Sequence, residues 1–132
     1  MKFRICFSLL LVVALLGCSR GPAPQAFRLP SGRTIKILGM GPIRIASGET
    51  GLMLNYQTDL NISDLENLRK EVDDIWPTFQ VDVEKAQVSF AVISANEPPK
   101  GTIITQNRKY NFVFQRSSDG TWHSETKNET RP

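Results

Sequence analysis

Residues 63–86 read SDLENLRKEVDDIWPTFQVDVEKA, and this stretch decides the fold. Ser63 and Glu66 stand three apart, the spacing of a capping box in which the hydroxyl accepts the amide of residue 66 and the carboxylate reaches back to the amide of Ser63. Leu65, Leu68, Val72, Ile75, Trp76, Phe79, Val83 and Ala86 then recur at helical spacing, and Glu66 with Lys70 forms a well-oriented exposed pair. One apolar stripe on a polar helix requires a sheet or another helix to cover it. Pro77 lacks an amide proton and crowds the preceding turn, so it either ends the helix or kinks it. The apolar spacing persists to Ala86, which predicts a kinked continuation to about Lys85. The alternative is a short strand through Val81 and Val83.

Strand patterns flank the helix on both sides. Upstream, Ile35 and Ile37 alternate with polar residues, and Ile43 with Ile45 resumes that alternation after Gly39-Met40-Gly41-Pro42. This predicts a bent or bulged strand, or two short ones. Ser47 to Gly51 makes a turn, and Leu52, Leu54 and Tyr56 share one face of the hairpin's second strand. Downstream, Val88 to Ala95 is apolar on both faces, as a central strand is. Asn96 to Gly101 forms a turn. Thr102–Thr105, followed by Tyr110, Phe112 and Phe114, gives another strand pair or one long interrupted strand, and Asp119-Gly120 turns the chain toward Trp122. The resulting order, β-β-α-β-β-β, predicts an α+β domain over 33–126: an antiparallel sheet of about five strands with the one long helix on one face. Residues 127–132 are expected to fray.

Toward the N-terminus the composition changes. Residues 19–32, SRGPAPQAFRLPSG, hold three Pro, two Gly and two large apolar residues. Together with Cys18 this predicts a tether over 18–32, reaching at most about 45 Å. The alternative is a short first edge strand through Phe27 and Leu29, cut off by Pro30.

Residues 1–17 have the layout of a signal peptide: Lys2 and Arg4, an apolar run from Ile5 to Leu16, then Gly17. That run is shorter than the roughly 20 residues of a permanent membrane span. Leu15-Leu16-Gly17-Cys18 resembles the lipobox of bacterial lipoprotein precursors. The resemblance implies that the Cys18 sulfur takes a diacylglyceryl group, that the leader is cut between Gly17 and Cys18, and that the new amino group is acylated, typically with a palmitoyl-type chain. The alternative is an ordinary secreted protein cut nearby, for instance after Ser19. Two or three acyl chains, at about 0.8 kcal/mol per buried methylene, hold a soluble body firmly to a membrane. In a Gram-negative host, Ser19 rather than Asp after the cysteine favours the outer membrane, on its periplasmic face.

Processing alters what the composition implies. The 132 residues carry 16 basic and 13 acidic side chains, but loss of Lys2 and Arg4 leaves 14 basic residues and a net charge of +1. A nucleic-acid partner loses its electrostatic support. Cys6 leaves with the leader, so Cys18 is the sole cysteine and no intrachain disulfide is available. Charge is nevertheless segregated, with five basic and one acidic residue over 20–50 and three basic and eight acidic over 59–85. The basic part either leans on anionic headgroups or, as we favour, pairs with the helix acids.

The search for reaction chemistry is short. His123 is the one histidine, too few donors for zinc, and no Gly-x-Ser-x-Gly elbow is present. Gly39-Met40-Gly41 lacks the third glycine of a dinucleotide fingerprint. Asp73 and Asp74 point about 100° apart on a helix and do not converge on one ion, so together with Asp64, Glu66 and Glu71 they read as a solvated face. Tyr56, Trp76, Phe79, Phe90, Tyr110, Phe112, Phe114 and Trp122 are needed mostly as core in so small a domain. Without catalytic, metal or cofactor residues, the expectation is a non-catalytic envelope lipoprotein serving as a binding or accessory module for another envelope protein. The alternative is a carrier of a small apolar ligand or lipid in a cleft between helix and sheet.

Overall fold

The computed structural model describes residues 23–101 and 107–125. Its elements are β1 (Gln25–Arg28), β2 (Thr34–Arg44), β3 (Thr50–Gln57), α1 (Leu65–Ala86), β4 (Phe90–Asn96), β5 (Lys109–Arg116) and β6 (Trp122–Glu125). All six strands form one sheet in chain order, β1-β2-β3-β4-β5-β6. The architecture is therefore α+β with one helix on a mixed, mostly antiparallel sheet, and two parts of the sequence expectation need correction. There are six strands in the order β-β-β-α-β-β-β, not about five. The β3–β4 pair is parallel, with Leu54 opposite Ile93 and Tyr56 opposite Ala95. The parallel pair follows from the helix itself: α1 carries the chain back along the sheet, so the next strand runs the same way as the last.

The extra strand comes out of the segment expected to be a tether. Phe27 pairs with Ile35 and Gln25 with Ile37. Pro30-Ser31-Gly32 is the turn of this hairpin, closed by the Leu29 amide donating to the Arg33 carbonyl at 2.8 Å, with Gly32 at φ +90°. A positive φ is what glycine supplies without steric cost. The Pro and Gly residues that suggested a tether thus build a turn, and the short edge strand through Phe27 is the form adopted.

β2 is one strand with an irregular register between Ile37 and Gly39, so the bulge sits at Leu38, just ahead of the Gly-Met-Gly-Pro stretch. α1 runs unbroken through Pro77 to Ala86, which excludes the strand at Val81 and Val83. Pro77 and residue 73, whose carbonyl loses its partner, are both exposed, where water can satisfy that carbonyl. The cap lies one residue later than the capping box predicts. The Asn61 carboxamide accepts the Ser63 amide at 2.8 Å, so that amide is not available to Glu66, and Asp64 becomes the N-cap, accepting the Asn67 amide. The Glu66–Lys70 pair forms at 2.8 Å.

Leu68, Val72, Ile75, Phe79 and Val83 of α1 pack on Leu54, Tyr56, Ala91, Ile93, Ala95, Phe112 and Phe114. Every residue of β4 is buried, as its two apolar faces predict. Among the described residues no helix is long and apolar enough to cross a membrane. The leader, the Gly17–Cys18 bond, Thr102–Thr105 and residues 127–132 lie outside the described residues.

Candidate functional site

One helix cannot cover this sheet. Six strands at about 4.8 Å spacing place the outer two roughly 24 Å apart, whereas a helix with its side chains is about 10 Å wide. α1 lies over β3 and β4. On the β5–β6 side, large rings fill the space beside the C-terminal half of the helix, and a smaller depression of about 250 Å³ remains between its first turns and Tyr110 and Phe112. Trp76 stacks on Phe114 with centroids 3.9 Å apart and meets Phe79 and Trp122 edge-on, while the Trp122 indole donates to Glu84 Oε1 at 2.7 Å. That bond, with Arg116 at 3.3 Å, holds the Glu84 carboxyl below its usual range.

The β1–β2 side has no such filling, and a cleft of about 350 Å³ opens there. Its walls follow from local geometry. Ile75, Thr78, Phe79 and Asp82 recur at i, i+3, i+4 and i+7, the helical stripe next to the core. Ala23, Gln25, Phe27 and Leu29 alternate along the first strand and its flanks, so all four face the same way. Ile35, Ile37 and Leu54 belong to the inner face of the sheet. The bulge lets Leu38 line the cleft directly after Ile37, followed by Gly39 and Met40. Gln25, Thr78 and Asp82 are the polar side chains among these residues. Phe27 and Met40 remain 39% and 51% exposed. The volume lies within the usual range for small-ligand sites.

A latch beside the cleft holds the helix at its distance. Glu71 is buried, contrary to the expectation of a wholly solvated acidic face. Its Oε2 accepts from Tyr56 Oη at 2.9 Å and Thr58 Oγ1 at 2.7 Å, and Arg33 approaches Oε1 at 3.5 Å. Burial, reinforced by the negative Glu71, pushes the Tyr56 phenol well above its ordinary value, so it remains a donor. A second buried carboxylate, Glu97, accepts the Ile62 amide at 2.9 Å and is held below its ordinary range by that bond. Both tie loops or helix to the sheet.

The remaining sequence candidates are scattered. Asp73 pairs with Arg69 at 3.6 Å and Asp74 accepts from Ser31 at 2.7 Å, so the two carboxylates diverge as expected. His123 is exposed on β6, its Nε2 3.0 Å from Thr121 Oγ1. Thr121 donates its proton to Asp119 at 2.6 Å, so His123 is the donor to Thr121, the reverse of a base activating a nucleophile. Among the described residues no group of three His, Cys, Asp or Glu is placed to hold a metal ion. Of the basic residues expected to pair with helix acids, Arg33 does so with Glu71. Gly17 and Cys18 lie outside the described residues.

The residues of β1 that form one wall, Phe27 above all, were missed as site residues because three prolines and two glycines nearby masked their alternation. The signal was present: Ala23, Gln25, Phe27 and Leu29 at period two, a Pro-Ser-Gly turn, then Ile35 and Ile37 at period two. No family model matches the chain, and no curated protein and no solved structure matches it.

Proposed function

We propose that this protein is a small, non-catalytic lipoprotein of the bacterial envelope, anchored through Cys18, whose body is a binding or accessory module for another envelope protein. In a Gram-negative cell its place is the periplasmic face of the outer membrane. The observation that carries the binding role is the cleft between α1 and the β1–β2 hairpin, a concave, mostly apolar surface left open beside the packed core. Phe27 and Met40 beside it offer an aromatic ring and a flexible thioether, side chains that adapt well to apolar partners. Tethering near the membrane raises the local concentration of envelope partners, so contacts that are weak in solution suffice.

Two experiments test this reading. Cys18→Ser abolishes lipid attachment and normal leader cleavage; an unchanged mature mass and unchanged membrane extraction would refute the anchor. For the partner, photoreactive side chains are placed in cells at Met40 and at Val81, which is 54% exposed but outside the cleft. A discrete protein adduct forms from position 40 and not from 81. Reproducible absence of a protein adduct from 40 argues against a protein partner.

The mostly apolar lining supports a second reading, a carrier of a small apolar ligand or lipid. Native mass spectrometry of protein from its own host then shows a bound species, and an empty cleft sinks that reading.

A further inference from the structure

The cleft begins close to the proposed anchor. Ala23 is among its lining residues, and Cys18 is five residues upstream, a span of at most roughly 17 Å. The first wall of the cleft is therefore built by the same stretch of chain that leaves the lipidated cysteine. Ala23, Gln25, Phe27 and Leu29 lead inward from that end, toward Ile35, Ile75 and Phe79. Of those seven only Gln25 is polar, which matches a hydrocarbon chain, and the one charged side chain elsewhere in the lining, Asp82, is anionic and does not attract a phosphate headgroup.

From the length of chain between Cys18 and Ala23 and from this lining, we infer that the cleft is the resting place of one acyl chain of the protein's own Cys18 lipid when the protein is away from a bilayer. The inference rests on the proposal that Cys18 is lipidated. In water each methylene taken into the cleft is withdrawn from solvent, which favours occupancy. A bilayer encloses the chain on all sides, whereas the cleft stays open along one side, so membrane contact draws the chain out. The occupant is covalently attached and a few residues away, so it outcompetes free lipid at low concentration. Emptying of the cleft on membrane insertion also leaves it free for a partner only where that partner resides.

The test uses the full chain produced in a bacterium that processes lipoproteins, with a benzophenone side chain in place of Phe27. Intact mass reports lipidation independently of crosslinking. Ordinary and ¹⁵N-labelled proteins are mixed, freed of detergent and irradiated, and peptides joined to residue 27 are sequenced. The expected product joins residue 27 to the acylated N-terminal peptide of the same isotope, is lost in Cys18→Ser, and falls several-fold after insertion into phospholipid vesicles. A lipidated protein whose residue 27 captures phospholipid, another protein, the lipid of the opposite isotope as often as its own, or nothing overturns the inference while leaving the anchor intact. A protein with no lipid by mass overturns the anchor and the inference together. The same substitution at Val81, outside the cleft, yields no such product.

Discussion

The two halves of the sheet share one face and one alternating pattern, yet they end differently. Over β3, β4 and β5, Tyr56, Ile93 and Phe112 are sealed beneath the helix. On β1 and β2, Phe27 and Met40 carry side chains of comparable size and stay open to solvent. The difference is not in local sequence but in reach: a single helix covers the middle strands, and what lies beyond depends on side-chain bulk. Trp76, Phe114 and Trp122 bridge the gap on the β6 side, while on the opposite side the rings of Phe27 and Phe79 and their aliphatic neighbours leave a cleft. Packing that is tight under the stacked rings and loose beside the β1–β2 hairpin is what separates core from the proposed binding surface.

The contrast is broken most severely by truncating one residue in each half. Leu68→Ala, under the helix, costs about 2–5 kcal/mol by cavity formation. Met40→Ala, in the open half, changes stability by no more than about 0.5 kcal/mol. Urea denaturation of both variants checks this, and equal losses would mean that the open half is core as well. On the reverse face the middle strands are also tight: a methyl group at Gly51 would run into the Phe90 ring. Gly51→Ala is therefore expected to destabilise by about 1–3 kcal/mol.

The latch gives a smaller effect with a distinct signature. Tyr56→Phe removes one of the hydrogen bonds to Glu71 and costs about 1–2 kcal/mol. Because the folded state holds the Tyr56 proton more tightly than the unfolded chain, stability is complete below the ordinary phenol value of about 10 and declines as pH rises above it. Tyr56→Phe flattens that alkaline decline, as measured by thermal melts across pH. At the aromatic end, Trp122→Phe removes the indole donor, so the Glu84 carboxyl titrates closer to its ordinary value in a carbon-detected NMR titration. In the native protein this carboxylate contributes stability above the unfolded carboxyl value, lost as pH falls through the lowered folded one.

Much of the covered half was legible in the sequence. The stripe from Leu68 to Val83 is long enough to set the helix despite Pro77, and the two-faced apolar run of β4 identifies a central strand. The parallel pairing of β3 and β4 was not read, although a strand, a helix and a buried apolar strand in succession carry that topology. The cap moved because a local competitor, Asn61, takes the amide that Glu66 needed. Glu71 shows the limit of a periodicity argument: it follows Lys70 in an acid-rich helix, and its burial depends on Tyr56 and Thr58 arriving from the end of β3. The cleft was illegible for the same reason. Its walls come from β1, β2, β3 and α1, and the space between them is set by what does not pack, a quantity that no single segment encodes.

The central claim is that the open half is a binding cleft and not merely thin packing. The most direct measurement is titration of the Cys18→Ser chain, which lacks the proposed lipid acceptor, with an environment-sensitive apolar fluorophore. The account predicts saturable binding at one site, lost when Thr78→Trp or Ile37→Trp fills the cleft and unchanged by Val81→Ser outside it. Absence of binding, or binding indifferent to both filling variants in a protein that remains folded, would contradict it.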